Sequence, residues 1–131
     1  MRITLPGGKK VQAEHNGYKI QTDQPKMAGG EGSAPSPFDL FLASIGTCAG
    51  FYVLAFCQKR DIPTNDIVLD VDFIQDEERH MIERIDISLS LPKSFPERYV
   101  NACVKAAEQC TVKRHLQQPP TVSLQASRAE S

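Results

Sequence analysis

Short alternating segments open the chain. Ile3 and Leu5 precede the turn signal Pro6-Gly7-Gly8, then Lys10 to Ala13 leads through Asn16-Gly17 into Tyr18 to Thr22. Asn-Gly between alternating segments is the strongest short hairpin signal, because both residues tolerate positive φ. Residues 1–25 are therefore expected to form a small β-unit. Residues 23–36, DQPKMAGGEGSAPS, have no period and read as a connecting loop.

The period then changes to helical. Ser36 can cap, Pro37 suits the first helical position, and Asp39 completes an S-x-x-D box at the positive helix end. A helix is predicted over about 37–60, closed by Asp61-Ile62-Pro63. Its apolar residues, including Phe38, Leu40, Phe41, Leu42, Ile45, Phe51, Val53, Leu54 and Phe56, point in nearly every direction. A helix apolar all round is expected to be enclosed.

Alternation returns twice. Residues 67–74 place Asp70 and Asp72 on one face, and residues 82–91 place Ile85, Ile87, Leu89 and Leu91 on the other kind of face. With the polar stretch Gln75 to Arg79 between them, they read as a half-buried antiparallel hairpin over about 67–91. A second helix is expected over about 96–110, with Tyr99, Val100, Cys103 and Ala107 inward and Cys110 at its C-terminal end. Pro119-Pro120 precedes a last strand predicted at about 121–126. The pattern is α+β, read as one domain over 1–131.

Composition narrows the function. The 131 residues carry 15 basic and 16 acidic side chains, spread without a basic stripe, which disfavours nucleic acid and anionic membranes as partners. Met1 to Lys10 lacks the apolar run of a signal peptide, so a cytoplasmic location is expected, where thiols stay reduced. The run from Phe38 to Phe56 approaches membrane-spanning length. Its interruptions at Asp39, Ser44, Gly46, Thr47 and Gly50, and its N-terminal cap, favour a core helix.

Four cysteines, Cys48, Cys57, Cys103 and Cys110, show no C-x-x-C, and His15, His80 and His115 are scattered. No zinc pattern fits, and no metal is expected. Cys48 and Cys57 lie on opposite sides of one helix and cannot pair within it. Cys57 and Cys103 read as core residues. Any of the four has a plain reading as a small buried hydrophobe. Lys113, Arg114 and His115 read first as complementing a helix C-terminus.

The motifs PFDLFLASIGTC, residues 37–48, and AAEQCTV, residues 106–112, resemble those of the OsmC/organic-hydroperoxide-resistance family. With the element order and two cysteines 62 positions apart, the resemblance covers almost the whole chain. It implies an intertwined homodimer, with antiparallel sheets wrapped around two central helices and the active site at the subunit interface. It also implies thiol-dependent reduction of organic hydroperoxides, with Cys48 attacking, Cys110 resolving, an external dithiol as reductant and no cofactor. Thiolate chemistry of this kind needs a depressed Cys48 pKa, and Cys48 lies about three turns from its own helix start. A nearby cation is therefore expected.

In the family's peroxidase branch an arginine near the N-terminal strands has that role. Here Lys9, Lys10 and Arg2 are the candidates, and lysine lacks arginine's bidentate fork. Phe38 stands where the family's glutamate follows the proline, leaving Asp39 as the candidate acidic partner. Phe38, Phe41, Phe51, Tyr52 and Phe56 are candidates to line an apolar pocket, with core packing as the plainer account. The alternative function is a non-enzymatic dimer that binds a small apolar or electrophilic ligand at the interface.

Overall fold

A computed structural model describes residues 1–130. The fold is α+β and forms two compact units, Met1–Ile45 and Gly46–Ser131.

In the first unit the N-terminal segments make three strands: β1 (Arg2–Gly7), β2 (Lys10–His15) and β3 (Tyr18–Thr22), in that order in one antiparallel sheet. Asn16 and Gly17 both take positive φ, as the hairpin signal requires. The loop after β3 is tied by Asp23, which is fully buried. Its carboxylate accepts the Ser33 hydroxyl at 2.6 Å, the Gln24 N–H at 2.7 Å, and the N–H groups of Ser33 and Glu31 at 3.1 and 3.3 Å. The loop closes so tightly that a Cβ at Gly30 would overlap the Gln24 carbonyl.

Those donors, led by the Ser33 hydroxyl and then the Gln24 N–H, outweigh burial and hold the Asp23 carboxyl at about 2. A depressed folded-state pKa contributes stability that is complete above the ordinary carboxylate value and is lost as pH falls toward about 2. Melting temperature should therefore fall between about pH 4 and pH 2 through this group. Asp23→Asn should melt lower at neutral pH and show a flatter acid limb; an unchanged limb would exclude Asp23 as its source.

Helix α1 (Pro37–Gln58) starts in the first unit and runs into the second. Its start is the expected capping box: the Asp39 N–H donates to Ser36 Oγ at 3.1 Å, and the Ser36 N–H donates to the Asp39 carboxylate at 3.2 Å.

In the second unit α1 faces a hairpin of β4 (Val68–Asp76) and β5 (Met81–Ser90), paired Leu69 to Leu89, Val71 to Ile87 and Phe73 to Ile85. A Cβ at Gly46 would stand 2.8 Å from Val71 Cγ2, so this glycine is what lets β4 come close. The core gathers Val53, Phe56 and Cys57 of α1 with Phe95 and Cys103, and Leu69, Leu89, Leu91 and Tyr99 pack around them. The Arg60 guanidinium covers the Phe56 ring at 3.7 Å, closing the end of α1.

Three sequence expectations differ from this structure. The helix expected over 96–110 is a short 3-10 turn at Glu97–Tyr99, then α2 (Val100–Ala107), then a separate α3 (Thr111–Gln117). No strand forms at 121–126; residues 119–130 take no regular structure, with Val122 and Leu124 fully open to solvent. A strand needs a partner edge for its backbone groups, and none is engaged there. The third difference is α1 itself. It is long and apolar enough to cross a membrane by length and composition, yet its buried face is only Ile45, Ala49, Val53, Phe56 and Cys57. Phe38 is 52% and Phe51 61% exposed, so the chain alone does not enclose this helix.

Candidate functional site

The second unit brings Cys48 and Cys110 into contact through a thiol–thiol hydrogen bond. Cys48 comes from the middle of α1. Cys110 occupies the break between α2 and α3, with φ −50° and ψ 126°, where it is the N-cap of α3 and its Sγ accepts the Lys113 N–H at 3.5 Å. Sulfur is a weak acceptor and lies outside the usual capping repertoire, so the sequence carried no clear signal for this helix start. A partial signal existed in Val112 and Leu116, four apart, with three basic residues between them.

The start of α3 also changes the electrostatics of Cys48. Burial pushes this thiol up, but the Val112 N–H, the Cys110 thiol and the Thr111 N–H all donate to its sulfur and together hold it below the ordinary cysteine value. Hydrogen bonds to an anion favour the charged form. Peptide N–H groups of another helix act on this sulfur, a contribution that was not legible in the sequence, and the cation candidates Lys9, Lys10 and Arg2 lie in the first unit. Cys110 is raised, first by burial and then by donating its proton to Cys48. The pair is thus polarised: the Cys48 thiol lies below the ordinary cysteine value and the Cys110 thiol above it.

Tyr52, one turn beyond Cys48 on α1, shares a 3.0 Å hydrogen bond with Thr111 Oγ1. Its ring meets Phe51 edge to face at 5.6 Å. The remaining candidates belong to the first unit. Lys10 pairs with Glu31 at 2.9 Å, Lys9 lies against Gly29, and Arg2 borders a shallow groove with Glu14 and Tyr18. Asp39 is engaged in the helix cap, and Phe38 stacks on Phe41 at 5.5 Å.

The structure also joins the other two cysteines. Cys57 and Cys103 are fully buried in the core and hydrogen-bonded to each other. Burial raises both, Cys103 to about 11. Nucleophilicity follows the thiolate, so the two pairs should react very differently. Iodoacetamide at pH 7 is expected to modify Cys48 first, leaving Cys57, Cys103 and Cys110 unmodified until denaturant is added. Peptide mapping of alkylated native protein checks this; early labelling of Cys57 or Cys103 would contradict it. Among the described residues no group of three or more potential metal ligands occurs.

The arrangement is that of a small α+β protein with a polarised two-thiol centre. Residues 30–125 match the family model described as OsmC-like protein, and the chain belongs to that family. The fold is similar to that of a protein named for osmotic stress induction and detoxification from Psychrobacter arcticus 273-4, with a TM-score of 0.72 and 20% identity over 86% of this chain and 84% of that one. It is also similar to an OsmC-like protein from Mycoplasma pneumoniae, with a TM-score of 0.65 and 14% identity over 84% and 80%. The organic hydroperoxide resistance protein OhrB of Bacillus subtilis matches with a TM-score of 0.54 and 20% identity over 90% of each chain. Comparison with curated proteins returns no match.

Proposed function

We propose that this protein is a thiol-dependent peroxidase that reduces organic hydroperoxides through a Cys48–Cys110 cycle. The observation that carries the reading is the polarised pair itself: a half-buried Cys48 sulfur accepting two peptide N–H groups and the proton of Cys110. The Cys48 thiolate attacks the distal peroxide oxygen, an S–O bond forms and the O–O bond breaks. The alkoxide leaves and takes a proton, giving the alcohol and a Cys48 sulfenic acid. The Cys110 sulfur then attacks Cys48, an S–S bond forms, and water departs with the sulfenic oxygen. An external dithiol returns both thiols by exchange.

Cys110 sits beside the sulfur it would resolve, so no large movement is needed for the second step. Three further parts belong to the reading: a cytoplasmic location, a single OsmC-like domain, and a homodimer. Exposed Phe51 and Leu54 on α1, and Val122 and Leu124 in the unpaired tail, support the last by supplying apolar surface for a second copy. Sedimentation would test it: a monomer at micromolar concentration is the contrary result.

The test of the activity is consumption of cumene hydroperoxide and hydrogen peroxide with excess dithiol, in wild type and Cys48→Ser. The alternative, a non-enzymatic dimer binding a small apolar or electrophilic ligand, draws on the same uncovered aromatic rings and predicts no Cys48-dependent turnover.

A further inference from the structure

One peptide unit joins the groups around Cys48. The Val112 N–H that donates to the Cys48 sulfur belongs to the same planar amide as the Thr111 carbonyl. That carbonyl is held by His115 Nδ1 at 2.7 Å. A carbonyl oxygen only accepts, so Nδ1 carries the proton. The residue on the other side of this amide's carbonyl, Thr111, donates its own N–H to the same sulfur and is held through its hydroxyl by Tyr52 at 3.0 Å.

Two physical reasons make these ties matter. A seven-residue helix has too little intrinsic stability to keep its first turn in place, because nucleation is costly and few bonds follow it. Moreover, a donor on the carbonyl side of an amide polarises it and strengthens its N–H. Tyr52 stands four residues after Cys48 on the same face of α1, so it fixes the α3 start relative to the helix that carries the sulfur.

We infer that Tyr52 and His115 are positioning residues that clamp the first two residues of α3, so that the N–H groups of Thr111 and Val112 stay on the Cys48 sulfur. The inference rests on the reading of Cys48 as the reacting thiol. Each acts through the first residue of α3, Tyr52 on the Thr111 hydroxyl and His115 on the Thr111 carbonyl. His115 thereby acquires a role other than complementing the helix C-terminus.

The experiment is the pH dependence of Cys48 alkylation by iodoacetamide, followed on the Cys48 peptide by mass spectrometry in a Cys110→Ser background. That background removes the neighbouring thiol and places a good N-cap residue at 110. Tyr52→Phe and His115→Leu are each expected to move the midpoint upward by about half a pH unit. Thr111→Ser, which keeps the hydroxyl, should leave the midpoint at that of the parent. Melting temperature is measured beside it, because a merely structural role lowers melting without moving the midpoint. An unmoved midpoint in either Tyr52→Phe or His115→Leu overturns the clamp.

The readout does not use peroxide. Upward shifts in a protein without turnover would sustain the clamp and defeat the peroxidase reading. Turnover with unmoved midpoints would do the reverse.

Discussion

Cys48→Ser is expected to bring cumene hydroperoxide consumption down to the rate of the dithiol alone, with the fold intact. The serine hydroxyl is close in size to the thiol, and Cys48 is only half-buried, so packing changes little. The chemistry changes completely. The N–H groups of Thr111 and Val112 stabilise an anion on an atom whose ordinary pKa is near 8.5, whereas a serine hydroxyl stays protonated at the same place. Cys110→Ser should act differently. Attack on peroxide persists, but no thiol remains to condense, and Cys48 accumulates as sulfenic acid that dimedone traps. Multiple turnover then depends on the external dithiol reaching Cys48 directly. Persistent full turnover in Cys48→Ser would remove this cysteine from the reaction, and failure to trap dimedone in Cys110→Ser would remove the resolving step.

The largest effect on stability is expected at Phe56. Its ring is buried in the cluster with Val53, Cys57, Phe95 and Cys103, meets Tyr99 edge to face at 6.0 Å, and carries the Arg60 guanidinium on its open face. Phe56→Ala removes the apolar surface and leaves a cavity between α1, the hairpin and α2. The cost should be about 3–5 kcal/mol, a large share of the roughly 5–15 kcal/mol that holds a domain of ordinary size. Stacking of Arg60 adds about 0.5–1 kcal/mol, so Arg60→Ala should cost much less than the loss of the ring. Urea titration of both variants checks the order. Comparable midpoints would show that the core tolerates loss of the ring by collapsing around it.

The sequence alone determined the local parts of this protein, since they are written in neighbouring residues. Asn16-Gly17 set a turn because both residues accept positive φ, Ser36 and Asp39 set the start of α1 by satisfying each other's backbone donors, and alternation over 67–91 set a hairpin with one apolar face. The two cysteine motifs, read together, also pointed to the family.

Tertiary structure decided everything that depends on partners distant in the chain. It put the amide start of α3 against the Cys48 sulfur. It split the expected second helix at Cys110, because a cysteine N-cap leaves no pattern in the sequence, and it left 121–126 without a strand, because alternation supplies a face but not an edge to pair with. The family motifs had already set Cys48 and Cys110 apart from Cys57 and Cys103, and tertiary structure supplied the physical difference between a polarised pair and a silent one. Nothing in spacing could do that, since a thiol's pKa is set by burial and by the donors that packing brings to it.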